Sequence, residues 1–188
     1  MSEHYLTAPL SKEDILKLKA GDIVYLSGII YTARDEAHMK ILELTKKGGS
    51  LPFDLEGAAI YHCGPLLEKK NEKWEAVAVG PTTSARMTKL TPELLKNHNV
   101  RIIIGKGGME NIAPVLKDRC VYLAYTGGCA ALAVEKIKEV KRVYWLEELG
   151  MPEAVWALEV ENFPLIVGVD ARGEDLYQQV IDRAKQKL

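Results

Sequence analysis

Ile23-Val24-Tyr25-Leu26-Ser27-Gly28-Ile29-Ile30-Tyr31 runs directly into Thr32-Ala33-Arg34-Asp35-Glu36-Ala37-His38. The first nine residues are apolar and β-branched, as in a strand packed on a pleated surface. Thr32 or Asp35 then starts a helix that continues to Lys47 and stops at Gly48-Gly49. Arg34 therefore sits at a strand-to-helix junction, with His38 about one turn further on. Val100-Arg101-Ile102-Ile103-Ile104 repeats the pattern and runs into Gly105-Lys106-Gly107-Gly108-Met109. A third strand, 120–125, runs into Thr126-Gly127-Gly128-Cys129, a turn of the same shape without the cation.

Other elements follow from the same signals. Ser11-Lys12-Glu13-Asp14 is close to a capping box and opens a short helix to about Lys19. Strands are expected at 57–62 and 75–80, and a helix capped by Thr91 with Pro92 in its first turn. Beyond Lys106 come a helix, then a helix at 128–135 and a strand at 140–146. Two strands, 154–161 and 164–169, flank Asn162-Phe163, and an amphipathic helix over 173–187 closes the chain. So many strands exceed a purely doubly wound fold. The expectation is an α/β fold with a mixed sheet or two sheets and helices packed outside, in a single domain over 1–188.

Ligands of α/β proteins collect where strand ends meet helix starts. Gly80-Pro81-Thr82-Thr83-Ser84-Ala85-Arg86-Met87 adds a further candidate. Proline suits a first helical turn, and Thr82 or Thr83 is expected to cap that turn, with Arg86 on the same face. Free N–H groups, two hydroxyls and a guanidinium then enclose a place for a carboxylate or phosphate. Lys106 between glycines is a similar anion site, because backbone N–H groups can approach the ligand there. Arg34, Arg86 and Lys106 together suggest one polyanionic small ligand. The chain carries neither G-x-G-x-x-G nor G-x-x-x-x-G-K-[ST], which points to a di-acid or phosphorylated metabolite rather than a nucleotide.

Composition narrows the function classes. A 188-residue chain with 47% hydrophobic residues can bury a substantial core. The net charge of −1 gives no basic face for nucleic acid. No apolar run has the length of a membrane span, and Met1-Ser2-Glu3-His4-Tyr5 does not open a signal peptide, so a soluble cytoplasmic protein is expected. Cys63, Cys120 and Cys129 are odd in number and irregularly spaced, which disfavours a disulfide framework. Three cysteines can hold a four-iron cluster with one open iron. Cys63 and Cys120, however, lie in strand-like segments where cysteine is usually a small buried hydrophobe. Cys129, expected at a helix start, is the cysteine to watch.

With these motifs placed, the chain resembles the β subunit, or C-terminal domain, of the iron–sulfur hydro-lyases: class I fumarate hydratase and L(+)-tartrate dehydratase. The resemblance spans nearly the whole length. It rests on Gly21-Asp22, Leu26-Ser27-Gly28, Thr32 to His38, Tyr61-His62-Cys63-Gly64-Pro65, Gly80 to Met87, Gly105 to Met109 and Gly150-Met151-Pro152-Glu153-Ala154-Val155-Trp156, in that order. It implies a swivelling β/β/α domain and a partner α subunit that carries the cysteine ligands of a [4Fe-4S] cluster, with no metal held by this chain. It also implies that Arg34, Arg86 and Lys106 bind the carboxylates of malate or fumarate, with Thr82 and Thr83 near the reacting carbons. Thr82 and Arg86 are then the catalytic candidates.

Dehydration of malate needs a base for a proton next to a carboxylate and a Lewis acid for the departing hydroxide. Fixed cations stabilise the charge that develops on that carboxylate. A threonine hydroxyl is a poor base without a strong neighbour, so Thr82 either takes the proton or orients substrate or water. Asp35 caps the helix or orients Arg34; His38 positions Arg34, binds substrate or is structural. Fumarate is the expected substrate and tartrate the alternative. A non-catalytic assembly subunit and a stand-alone metabolite-binding domain are further alternatives, and self-association of isolated chains stays open.

Overall fold

The computed structural model describes residues 1–186. In chain order the elements are β1 (Glu3–Ala8), α1 (Lys12–Leu16), β2 (Ile23–Thr32), α2 (Asp35–Lys46), β3 (Ala59–Tyr61), β4 (Leu66–Lys70), β5 (Lys73–Ala78), α3 (Thr91–Asn97), β6 (Ile102–Gly105), α4 (Ala113–Leu116), β7 (Val121–Ala124), α5 (Ala130–Val134), β8 (Ile137–Tyr144), α6 (Leu146–Leu149), β9 (Val155–Val169) and α7 (Leu176–Lys185). A short 3-10 turn covers Ser84–Met87. The fold is α/β with a mixed sheet, as the alternation of strands and helices predicts.

Strands run in the order β1-β2-β3-β6-β7-β9-β8, and β2 also pairs with β9. That extra pairing closes β2, β3, β6, β7 and β9 into a partial barrel, with β1 and β8 added outside. The β1–β2, β2–β3, β3–β6 and β6–β7 pairs are parallel, whereas β9 is antiparallel to β2, β7 and β8. Consecutive residues of the central strands face opposite cores. Tyr61, Ile102 and Ile104 enter one core with Leu26, Trp156 and Phe163. Ile60 and Ile103 enter the other, beneath the helices, with Ile41 and Leu94. A strand such as Ile102–Ile104, buried on both faces, needs an unbroken apolar run.

Several expectations shift. The two strands predicted around Asn162 are the single strand β9. Leu26 pairs with Phe163 but Gly28 with Val160, so two β9 residues stand opposite one on β2. This bulge is absorbed at Asn162 (φ 49°), and the strand continues. Thr91 is the first helical residue rather than the cap, and its hydroxyl donates to the Met87 carbonyl at 2.9 Å. The capping box at Ser11 and Asp14 forms, but α1 ends at Leu16. The predicted strand at 140–146 is β8, which begins at Ile137, and Leu146 already lies in α6. The β4–β5 hairpin went unpredicted at β4; its two-residue turn, Asn71-Glu72, has positive φ at both positions, as the twist of a tight hairpin requires. The closing helix begins at Leu176 with Asp175 as its cap, and Lys187 lies outside the described residues. No helix among the described residues is long and apolar enough to cross a membrane.

Candidate functional site

Arg34 is the residue just before α2, and its side chain makes no capping bond there. Thr32 does not start the helix. Buried at the end of β2, its hydroxyl donates to the Ala154 carbonyl (3.3 Å) and accepts the Trp156 N–H (3.0 Å). These bonds tie the β2 end to β9 and bring Glu153 beside Arg34, with Oε1 3.2 Å from Nε. Gly64 lies under the Arg34 guanidinium, where any Cβ would collide with it. His38 is fully buried in α2, and its Nδ1 lies 2.8 Å from the Arg34 carbonyl. A carbonyl only accepts, so Nδ1 carries the proton and His38 holds the Arg34 backbone.

Residues 81–83 depart from expectation. They are extended, with Pro81 bridged to Cys63 and Thr83 bridged to Lys106. Thr82 N–H donates to the His62 carbonyl (2.7 Å), Lys106 N–H to the Thr82 carbonyl (3.3 Å) and Ser84 N–H to the Lys106 carbonyl (3.1 Å). Neither threonine caps a helix; Thr83 flanks the 3-10 turn without a side-chain bond. Two of the N–H groups that a helix start would have offered to an anion, those of Thr82 and Ser84, are consumed by these strand-like pairings.

The same pairings bring the side chains together. Arg86 Nη2 donates to Thr82 Oγ1 at 2.8 Å and lies 3.0 Å from Asp35 Oδ2. Asp35 Oδ2 is 4.0 Å from Arg34 Nε. Arg34, Asp35, Thr82 and Arg86 thus form one connected network, and Lys106 joins it through the backbone of residues 82–84. The third glycine turn is recruited as well, since a Cβ on Gly127 would come within 3.3 Å of Lys106 Cδ. Thr83 is exposed, and the Arg86 side chain is 44% exposed against 33% for Asp35. An exposed ion pair of this kind is worth about 0–1 kcal/mol, so it does not bar a ligand carboxylate from the remaining N–H groups of Arg86.

Three residues outside the predicted set support this platform: His62, Ser84 and Tyr122. The Tyr122 hydroxyl donates to the Gly107 carbonyl at 2.6 Å, and Ser84 Oγ lies 3.1 Å from Tyr122 Oη and 2.9 Å from His62 Nδ1. Tyr122 has one proton, given to Gly107, so Ser84 donates to Tyr122 and His62 Nδ1–H donates to Ser84. No spacing rule joins positions 62, 84 and 122; only the meeting of β3, β6 and β7 does. Glu153 was also missed as a partner of Arg34, although it lies within the quoted Gly150–Trp156 motif.

Burial lowers the pKa of His38 and pulls that of His62 well below the usual histidine value, with His38 and Arg86 adding to the shift at His62. Both rings are therefore neutral when folded, and they meet edge to face at 5.2 Å. Unfolding at pH below about 6.5 releases histidines that take up protons. Their stabilising contribution is thus full above about pH 6.5 and lost as pH falls below it. Each can cost up to about 1.4 kcal/mol per pH unit. Urea midpoints are expected to drop between pH 7.5 and 5.5, and a flat profile would refute the buried neutral pair.

The cysteines do not fit a cluster. Cys63 and Cys120 are fully buried, and burial pushes both thiols far up. Cys129 precedes α5 and its Sγ accepts the Thr126 hydroxyl at 3.2 Å. Among the described residues no group of three or more His, Cys, Asp and Glu is placed to hold a metal ion.

Fold and site together define an α/β domain that presents a cationic platform at the ends of parallel strands. The chain belongs to the fumarase C-terminus family, whose model matches residues 2–180. It is 52% identical over 187 residues to a Methanocaldococcus jannaschii protein provisionally named L(+)-tartrate dehydratase subunit beta, covering 98% of this chain and 96% of that one. It is 40% identical over 177 residues to the L(+)-tartrate dehydratase subunit beta of Escherichia coli K12, covering 91% and 85%. A Geobacillus stearothermophilus protein provisionally named class I fumarate hydratase is 39% identical over 97% of this chain, which spans 35% of that longer protein.

Proposed function

We propose that this chain is the β subunit of a two-subunit hydro-lyase that interconverts L-malate with fumarate and water. An α subunit supplies the rest of the site and the [4Fe-4S] cluster that gives Lewis-acid chemistry. The observation that carries the reading is the Arg34–Asp35–Arg86–Thr82 network beside Lys106, open on one side. A small-ligand site ordinarily encloses most of its ligand. An open platform with three cations is half of such a site.

In this reading Arg34 holds one substrate carboxylate, and Arg86 with Lys106 holds the carboxylate next to the carbon that loses its proton. Thr82 faces that carbon as the base. The Arg86 N–H on Thr82 Oγ1 favours the alkoxide form of that hydroxyl, whose own proton first leaves to water or to a group of the α subunit; the oxygen becomes neutral again as it takes the substrate proton. Thr83 contacts the substrate, and Asp35 and His38 hold the two arginines in place.

L(+)-tartrate is the second reading, favoured by the names of the relatives that match nearly end to end. The experiment is anaerobic turnover by this chain alone and with its iron-reconstituted α partner, on malate and on tartrate. Turnover of malate only in the mixture supports the proposal. Turnover of tartrate alone changes the substrate and keeps the half-site. Equal turnover by a mixture whose β chain lacks Arg86 and Lys106 would leave only an assembly role.

A further inference from the structure

The protein has a net charge of −1, yet one concave surface is strongly cationic. A cavity of about 470 Å³ is lined by Lys12, Arg101, Lys117 and Arg119, with Asp118 as its one carboxylate. Lys12 opens α1, Arg101 precedes β6, and Lys117 and Arg119 follow α4. Among the described residues none of these four cations has a carboxylate within 4.0 Å. By contrast Lys17, Lys40, Lys46, Lys47, Lys69, Lys70, Lys138 and Lys141 all pair with carboxylates.

The two arginines are held in place by backbone. Arg101 Nη1 donates to the Arg119 carbonyl (3.0 Å), and Arg119 Nη1 to the Leu95 carbonyl (3.3 Å). Arg101 Nε is buried and has no acceptor. Each guanidinium is thus anchored through one nitrogen, which leaves other N–H groups for an anion. His98, which also lines the cavity, shares a hydrogen bond with Thr45 at 2.9 Å, and burial lowers its pKa. It therefore adds no charge at neutral pH.

We infer that this cavity is a second anion site, for a small ligand carrying several negative charges, such as a diphosphate or tricarboxylate group. Its size suits a metabolite. The concave shape focuses the field of four like charges on one small volume, whereas a long nucleic-acid backbone would need a stripe. It is separate from the platform: Arg101 and Lys106 bracket β6, five residues and about 16 Å apart along an extended chain.

The test is calorimetric titration of the full chain with pyrophosphate, and separately with citrate, at physiological ionic strength. One-to-one binding is expected, weakened at least tenfold by the double reversal Lys12→Glu/Lys117→Glu and unchanged by Arg86→Ala/Lys106→Ala, which removes two cations of the platform. Both lysines are exposed and unpaired, so the doubly reversed chain should melt as the parent does. Tighter binding of pyrophosphate identifies a phosphoryl ligand, and tighter binding of citrate a polycarboxylate. Absence of saturable binding below about 1 mM, insensitivity to the reversal, or loss with Arg86→Ala/Lys106→Ala overturns the inference. So does pocket-dependent binding of an RNA oligomer but of neither small anion.

Discussion

Replacing Arg86 by lysine is expected to lower kcat/KM of the assembled enzyme by about 10²–10³, with most of the loss in kcat. The charge survives the substitution, so a simple attraction for dicarboxylate would hardly change. What disappears is the planar fork, which now holds Thr82 Oγ1 at 2.8 Å and Asp35 Oδ2 at 3.0 Å from one nitrogen. An ammonium on a flexible stem cannot keep both contacts while presenting its remaining N–H groups to a substrate carboxylate. If Arg86 acts on Thr82, the two residues work as a unit. Thr82→Ala should then cost about as much as the Arg86→Lys/Thr82→Ala double variant, because one broken unit cannot be broken again. Independent, multiplicative losses would remove Thr82 from the role of base. Rates within about threefold of the parent in both single variants would remove the pair from the chemistry altogether.

Gly105→Ala is the substitution expected to damage the fold most for the least change in volume. A methyl group at Gly105 would occupy the space of Ser84 Oγ, and it would also stand 3.3 Å from His62 Nδ1. The segment cannot simply move aside, because Ser84 N–H and Thr82 C=O are both bonded to Lys106. Overpacking of this kind costs about 1–3 kcal/mol, and the hydrogen bonds linking His62, Ser84 and Tyr122 would be disturbed as well. A loss of about 3 kcal/mol corresponds to a Tm lower by roughly 6–12 °C in a chain of this size. Ser84→Ala should partly rescue the variant, since the nearest remaining Ser84 atom would be Cβ at 3.2 Å. If the double variant is no more stable than Gly105→Ala, the collision is not the cause.

The parts of this molecule that could be read from the chain are those encoded locally. A β-branched run ahead of Asp35-Glu36-Ala37 specifies β2 and α2 without reference to anything distant. Arg34 and Lys106 fall at strand ends for the same reason. The 80–87 segment misled because Gly-Pro-Thr-Thr has the local chemistry of a helix start. Its conformation is decided instead by open backbone groups on His62 and Lys106, 20 or more positions away along the chain. The Asn162 bulge was read as a break because its partner Ser27, which accepts the Asn162 N–H at 3.0 Å, lies on another strand. The cations could be named in advance, and so could Asp35 beside Arg34, but Glu153 could not. Glu153 reaches Arg34 only because β9 closes the barrel against β2.

That closure also sets a schedule for biosynthesis. Thr32 is bonded to Ala154 and Trp156, and Arg34 meets Glu153, across sequence separations of about 120 residues. A nascent chain that has produced only its first 150 residues holds Arg34, Arg86 and Lys106 but lacks the strand that positions the first of them. Such long-range pairings are slow to form, and unpaired strand edges invite association while they wait. The first arginine of the platform therefore takes its place only after the closing strand has left the ribosome. A partner that docks on the finished platform would in effect select chains whose closing strand is in place.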